Sequence, residues 1–226
     1  MTGVSQRLQA VLELTKNSST LADIGTDHAY LPILACKNGF CKKAIACDIN
    51  KGPLEIAAAN IKEAGLSNYI ETRLGNGLAP LNENEADCVV ISGMGGMRIW
   101  NILQNEPQKA KFAKKIILQP QHDLEELRKN LHNAGYNITD EKLVREDSRF
   151  YVVLVASYTN EEIAHWTARE YFLGKYLCES PDFWEYLHYN KSKIGRYIQS
   201  VSGYDTRQLA ETRLKWIDEY SSNITL

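Results

Sequence analysis

Short apolar runs alternate with segments of helical periodicity through the first two thirds of this chain, and no other feature limits the possible folds as strongly. Runs with the length and composition of buried strands lie at residues 20–25, 43–49, 69–74, 86–92 and 114–119. Helical patterns lie at residues 4–14, 29–38, 53–64, 98–103 and 123–134. Because strands that alternate with helices through short connections form parallel sheets, the pattern predicts an α/β fold.

The alternation of strand and helix patterns ends at Gly135. Two β-rich runs follow at residues 136–146 and 149–158, separated by only a short turn. These runs predict a hairpin and therefore antiparallel pairing at one edge of the sheet. A mostly parallel sheet with a C-terminal antiparallel hairpin is the Rossmann-like arrangement of class I methyltransferases. A nicotinamide-binding domain would instead be expected to continue with another parallel unit.

No strand pattern follows residue 158, and the rest of the sequence is rich in Tyr and Trp. Helical segments are predicted at residues 161–177, 182–201 and 206–220. Long antiparallel helices with short links form helical hairpins. We therefore expect a methyltransferase domain at residues 1–158 and an all-helical, coiled-coil-like extension at residues 159–226.

The composition is that of a globular protein, with 44% hydrophobic and 24% charged residues, which disfavours disorder and fibrous repeats. The apolar runs are far shorter than the roughly 20 residues of a membrane span, and the N-terminus lacks the apolar block of a secretory signal. The five cysteines form no C-x2-C pair, which disfavours a zinc site. We expect a soluble cytoplasmic protein, monomeric or weakly dimeric, with no membrane or metal partner.

The formal net charge of −2 argues against indiscriminate binding of nucleic acids, so any RNA contact must depend on local basic clusters. Lys191, Lys193 and Arg196 form one such cluster in the extension, beside Tyr189 and Tyr197. Basic residues interleaved with aromatic ones suit the recognition of folded RNA through its backbone shape. A solvated helix face and a packing or dimer-forming helical pair would have the same composition, so these alternatives stay open.

Ligands of open parallel sheets bind at the carboxyl ends of the strands, and the loop that begins at Asp23 follows the first strand. A dinucleotide site needs three glycines so that a pyrophosphate can approach a helix N-terminus, whereas this loop contains one, Gly25. Asp27 would repel a pyrophosphate and favour a ligand with an ammonium or sulfonium charge. S-adenosylmethionine carries both cations, a ribose and an adenine, and has no phosphate.

Polar residues also follow the next two strands. Asp48 ends the second strand, where a carboxylate accepts hydrogen bonds from the ribose hydroxyls of a nucleoside. Asn76 lies between Gly75 and Gly77 after the third strand, and its amide suits the edge of an adenine. Each residue has a structural alternative, because Asp48 would also serve as a helix N-cap and Asn76 as a turn residue with positive φ.

The strings DIGTDHAYLP, ACDIN, GNGL and GMGG, in this order and spacing, resemble the bacterial tRNA (adenine-22-N1)-methyltransferase family. The resemblance extends over essentially the whole chain, including the QPQ that follows and the helical extension. It implies a Rossmann-like methyltransferase domain, S-adenosyl-L-methionine as the donor, and N1 of one adenine in the tRNA D-arm as the acceptor. A catalytically silent RNA-binding module on this fold and a methyltransferase for another RNA adenine are the alternatives.

Carried over by position, the resemblance places the first loop at the methionine part of the donor and the GMGG loop at the target base. The residues expected to bind the donor are Arg7, Asp23, Gly25, Asp27, His28, Asp48, Ile49, Gly75, Asn76, Gly77, Gly93 and Met94. The residues expected at the reacting atoms are Asp27, Tyr30, Gly93, Met94 and Gly95. Because N1 of neutral adenine already carries an in-plane lone pair, positioning replaces a strong base.

Four of these assignments compete with structural roles that the sequence does not separate from them. Tyr30 is expected to stack on the target base, but it would also fit as a core residue at a helix start. Asp27 would accept an amino proton or cap the following helix, and His28 suits a structural role better than a catalytic one. Arg7 would pair with the carboxylate of the donor or remain a surface residue.

Overall fold

The computed structural model describes residues 4–200 and 203–222, and the chain divides into two compact units, Met1–His165 and Trp166–Leu226. The first unit is built on one seven-stranded sheet. Its strands are β1 (Ser18–Ile24), β2 (Cys41–Asp48), β3 (Ile70–Leu74), β4 (Cys88–Met94), β5 (Lys115–Pro120), β6 (Tyr136–Glu146) and β7 (Arg149–Tyr158).

The strand order is β3-β2-β1-β4-β5-β7-β6, and this order confirms the predicted fold class. Strands β1 to β5 pair in parallel, while β7 pairs antiparallel with both β5 and β6. The order reverses between β1 and β4, so the chain leaves these two neighbouring strands toward opposite sides of the sheet. A crevice forms at the carboxyl ends of such a pair, which is where doubly wound sheets bind ligands.

Helices connect the strands of the first unit. They are α1 (Gln6–Leu14), α2 (Tyr30–Lys37), α3 (Lys51–Glu63), α4 (Gly96–Asn105), α5 (Pro107–Phe112) and α6 (Leu124–Asn133). Leu12, Leu31 and Ile61, from α1, α2 and α3, share one buried cluster with residues of the sheet. Each such side chain contributes roughly 1.5–3 kcal/mol through burial, so these helices fix the ends of the strands that they connect.

The second unit contains α7 (Ala168–Leu173), a 3-10 helix (Leu177–Glu179), α8 (Phe183–Ser200) and α9 (Tyr204–Ser222). The predicted helix over residues 161–177 is wrong at both ends, because α7 begins only at Ala168 and ends at Leu173, before Gly174. Thr167 and Glu170 form a capping box at its start, in which each side chain accepts a hydrogen bond from the other residue's backbone N–H. Residue 201, the predicted end of the next helix, lies outside the described residues.

No helix within residues 4–200 and 203–222 combines the length and the apolar character that a membrane crossing requires.

Candidate functional site

The loops that follow β1, β2, β3 and β4 lie along one edge of the sheet, as parallel pairing requires. Backbone hydrogen bonds connect neighbouring loops directly. The N–H groups of Gly25 and Thr26 donate to the Cys47 carbonyl at 2.8 and 2.9 Å. The Gly75 N–H donates to the Asp48 carbonyl at 2.9 Å. The sheet therefore brings together the segments that the sequence analysis proposed as donor-binding.

Asp23 is the penultimate residue of β1, and its side chain is buried. Burial raises the pKa of this carboxyl to about 6, the Thr26 side chain opposes the shift, and the nearby Asp48 carboxylate adds to it. A carboxylate in this position is costly to ionise in the empty protein. A cationic ligand at the same place would compensate that cost. The buried carboxyl therefore favours a positively charged ligand, as the composition of the first loop predicted.

Asp48 lies at the tip of β2, half-buried, and its Oδ1 accepts a hydrogen bond from the Asn50 N–H at 2.7 Å. The N-cap of α3 is Asn50, so the helix-capping alternative for Asp48 is wrong. The bond to Asn50 orients the carboxylate and leaves its second oxygen for a ligand. The next side chain, Ile49, is 50% exposed and offers an apolar contact beside the carboxylate.

Asn76 is exposed after β3, in a loop that packs against the end of α4. A Cβ added to Gly75 would lie 2.8 Å from Pro80, and one added to Gly77 would lie 2.9 Å from Ile102. Both glycines are therefore needed for the path of the loop itself. A cavity of about 100 Å³ adjoins the loop and is lined by Asn76, Gly77, Ala79, Ile102, Asn105 and Glu106.

Asp27, His28 and Tyr30 lie close together after the carboxyl end of β1. The His28 Nε2 lies 3.2 Å from Asp27 Oδ2, and the His28 and Tyr30 rings are 5.3 Å apart. The N-cap of α2 is Ala29, which has a φ of 55° and no side-chain cap, so the capping role for Asp27 is wrong. Tyr30 is 57% exposed, which also excludes the core role considered for it. These three side chains are available to a ligand.

The GMGG loop after β4 packs closely against the loop after β5. A Cβ on Gly95 would lie 2.4 Å from the His122 ring, and one on Gly96 would lie 2.5 Å from the Asp123 carbonyl oxygen. The Gly96 N–H also donates to the His122 carbonyl at 2.9 Å. Sequence reasoning attributed these glycines to the approach of the target base, whereas the chain's own packing already requires Gly96, because its neighbour is backbone. The neighbour of Gly95 is an exposed imidazole, which can rotate away.

The Met94 side chain lies over the turn after β1. Gly25 has a φ of +81°, and a Cβ added there would lie 2.2 Å from the Met94 Cε. The absence of a side chain at Gly25 therefore makes room for Met94. This contact joins the predicted donor loop to the predicted acceptor loop at the point where the strand order reverses.

Arg7 lies against the β6–β7 hairpin. Its guanidinium is 5.0 Å from the centre of the Tyr151 ring, and its backbone N–H donates to Glu146 Oε1 at 3.4 Å. These contacts account for the residue's position on α1 without a ligand. The pairing of Arg7 with the donor carboxylate stays a prediction.

The residue that sequence reasoning missed at this edge is Gln119, which is fully buried in β5. Its Oε1 accepts hydrogen bonds from the Ser92 hydroxyl and the Gly93 N–H, both at 3.2 Å. The sequence holds two signals for it: a glutamine inside an apolar run, KKIILQP, and the QPQ string that the family resemblance includes.

The basic cluster of the second unit does not form one patch. The Lys191 ammonium binds Asp218 of α9 at 2.5 Å. Lys193 stacks on the Tyr189 ring at 5.3 Å, and Arg196 donates to its own helix at the Ser192 carbonyl, at 3.4 Å. Because residues three or four apart share a helix face, Lys193 and Arg196 lie together and Lys191 points elsewhere.

The His, Cys, Asp and Glu side chains of residues 4–200 and 203–222 form no group of three that would hold a metal ion.

The strand order and the anionic first turn define a class I methyltransferase. A family model described as a methyltransferase domain matches residues 4–154. The chain is 38% identical to the tRNA (adenine(22)-N(1))-methyltransferase of Bacillus subtilis (strain 168) over 162 residues, which make up 72% of this chain and 68% of that protein. The chain belongs to this methyltransferase family, as the sequence motifs predicted.

Solved structures agree over nearly the full length. The structure of M. capricolum TrmK in complex with S-adenosyl-homocysteine has a TM-score of 0.83 and 32% identity, with 96% of this chain and 97% of that chain covered. A Streptococcus pneumoniae protein in complex with S-adenosyl-L-methionine has a TM-score of 0.86 and 31% identity, with 96% and 99% covered. The similarity therefore includes the helical unit, which the family model does not reach.

Proposed function

We propose that this protein transfers a methyl group from S-adenosyl-L-methionine to N1 of adenine 22 in the D-arm of tRNA. The observation that carries the proposal is the first turn of the sheet, in which a single glycine lies between the carboxylates of Asp23 and Asp27. This turn suits a cationic nucleoside and repels a diphosphate. The Bacillus subtilis relative is named for methyl transfer to N1 of adenine 22, which supports the choice of acceptor.

In this proposal, the donor lies across the carboxyl ends of β3, β2 and β1. Asn76 contacts its adenine, Asp48 accepts from its ribose hydroxyls, and Asp23 and Asp27 face its cationic end. The methyl group then points toward the loop after β4, so the target base enters over the ends of β4 and β5. This direction follows from the strand order, since β4 and β5 continue the sheet beyond β1.

The residues at this edge act by orientation. When bound, S-adenosyl-L-methionine supplies an electrophilic methyl carbon, which forms a bond to N1 as its bond to sulfur breaks. The base gains a positive charge, and carboxylates and backbone carbonyls near it stabilise that charge. Tyr30, exposed beside His28, is placed to stack on a base that has left the helix of the tRNA.

The test is methyl transfer by the purified protein to unmodified tRNA, followed by mapping of the modified nucleoside. We expect 1-methyladenosine at position 22 and no product with a tRNA that carries guanine there. Methylation of both tRNAs would point to another RNA adenine, and binding of tRNA without transfer would indicate a silent module. A rise in melting temperature with NAD(H) and none with S-adenosyl-homocysteine would contradict the donor assignment.

A further inference from the structure

Gln119 is a buried amide that follows three apolar residues of β5. Residues Ile116 to Leu118 before it are completely buried, and Gln119 itself has no exposed surface. A buried amide without partners is destabilising, so its hydrogen bonds have to be made inside the protein. All of them are made at the site edge. Its Oε1 accepts from Ser92 Oγ and Gly93 N, and its Nε2 donates to the Pro120 carbonyl at 2.9 Å.

These hydrogen bonds coincide with an irregularity in the sheet. Strands β4 and β5 pair in regular register from Cys88 with Lys115 to Ser92 with Gln119, but the next pair joins Met94 with Pro120. Gly93 is therefore the extra residue of a β-bulge, and its φ is +79°. The extra residue of a bulge loses its place in the ladder. The Gln119 side chain supplies the acceptor that the Gly93 N–H needs.

The orientation of the amide is determined by its partners. A reversed amide would place its NH2 group against the Gly93 N–H, and two donors would then face each other. Directly after the bulge, a backbone hydrogen bond connects β4 to the segment that follows β5. In this bond the Met94 carbonyl accepts from the Gln121 N–H at 2.8 Å. Gln119 thus holds one side of the bulge, and the β5–α6 loop holds the other.

We infer that Gln119 is a positioning residue for methyl transfer. Its buried amide holds the bulge at Gly93, and the bulge sets the course of Met94 and Gly95 beside the turn after β1. The inference depends on the proposed function, because it assigns the loop after β4 to the reacting methyl group and the target base. Gln119 lies inside the sheet, so it acts through Gly93 and touches neither substrate.

The discriminating variant is Gln119→Met, which keeps the length and approximate volume of the side chain and removes both polar atoms. Its matched control is Ser92→Ala, which removes one partner of Gln119 and leaves the bond to the Gly93 N–H. For Gln119→Met we expect the single-turnover rate to fall by about tenfold or more, because a shift of the loop misaligns the reacting atoms. The Kd for S-adenosyl-L-methionine should change much less than the rate, since Gly93 and Met94 are the only expected donor contacts that this loop carries. Ser92→Ala should retain most of the rate.

Gln119→Glu provides the conservative rescue, since it restores an acceptor oxygen for the Gly93 N–H. It should recover part of the rate that Gln119→Met loses. A wild-type rate in Gln119→Met would overturn the inference, and so would an equal loss of rate and donor affinity, which would indicate general damage. If the wild-type protein does not methylate tRNA at all, the proposed function fails instead.

Hydrogen exchange of the wild-type protein tests the same bond without a variant, so the inference stays testable even if Gln119→Met does not fold. The Gly93 amide should be protected like those of β4. Exchange at the rate of an open loop would overturn the inference.

Discussion

The buried carboxyl of Asp23 gives a prediction that separates stability from donor binding. Its pKa is raised from 3.8 to about 6 in the folded protein, with burial as the main cause. At a pH above both the unfolded and the folded pKa, the ionised side chain destabilises the ligand-free protein. A shift of this size corresponds to about 3 kcal/mol as an upper value. Below both values the folded and unfolded states are protonated alike, and the penalty disappears. The stability that protonation provides is therefore lost as the pH rises through about 6.

Asp23→Asn removes the titration and nearly preserves the shape of the side chain. The difference in free energy of unfolding, variant minus wild type, should therefore increase with pH. Between about pH 4.5 and 7.5 we expect a gain of roughly 2 kcal/mol, most of it below pH 6.5. Urea denaturation of both proteins in one buffer series measures it, and the difference cancels contributions from other groups. A flat difference across this range would refute the burial argument.

A fall in pH, which stabilises the fold through Asp23, should weaken the binding of the donor. A cationic donor beside Asp23 favours the ionised carboxylate, so binding releases a proton when the empty site is protonated. The affinity for S-adenosyl-L-methionine should therefore weaken as the pH falls below about 6 in the wild-type protein, and much less in Asp23→Asn. Titration calorimetry in two buffers with different ionisation enthalpies counts the released proton directly. Equal pH dependence in both proteins would place the donor cation away from Asp23.

Three further predictions concern the edge of the sheet and α8. Asp48→Ala should weaken donor binding by roughly 1.5–3 kcal/mol, the loss of a charged hydrogen bond, and an unchanged calorimetric Kd would remove Asp48 from the ribose site. Gly96→Ala should abolish most transfer and leave the circular dichroism spectrum intact, since the added Cβ would lie 2.5 Å from the Asp123 carbonyl oxygen, which a side-chain rotation does not relieve. Lys193→Ala with Arg196→Ala should flatten the salt dependence of tRNA binding. Lys191→Ala is the control, and equal slopes for both proteins would exclude this helix face.

Much of the fold could be predicted because its signals are local. The hairpin strands occupy residues 136–146 and 149–158 as the pattern of β-rich runs predicted. The short helix α5 was missed, because six residues are too few to show helical periodicity. The helix expected from residue 161 was wrong since its start is set by the Thr167–Glu170 capping box, a signal present in the sequence but outweighed by the apolar pattern around it.

The site was predictable in part for a different reason. Strand ends and loop composition identified Asp23, Asp48 and Asn76, and parallel pairing brings their loops to one edge. The pairing of Lys191 with Asp218 could not be foreseen, because it depends on how α8 and α9 pack against each other. From composition, all three basic residues of α8 were predicted to bind RNA together. In the structure, only Lys193 and Arg196 share a helix face.

The glycines of the site illustrate what a single sequence leaves open. A glycine beside a polar residue is typical of a ligand loop, yet two of these glycines are required by the chain itself: Gly25 by its φ of +81°, and Gly96 by the Asp123 carbonyl oxygen of the β5–α6 loop. The contacts of the site glycines come from far away in sequence: Met94 lies over Gly25, and Gln119, which accepts from the Gly93 N–H, is 26 positions from Gly93. The loops after β1, β4 and β5 consequently pack as one unit. Because that unit spans the proposed donor and acceptor sides, a substitution on one side should alter the geometry of transfer on the other.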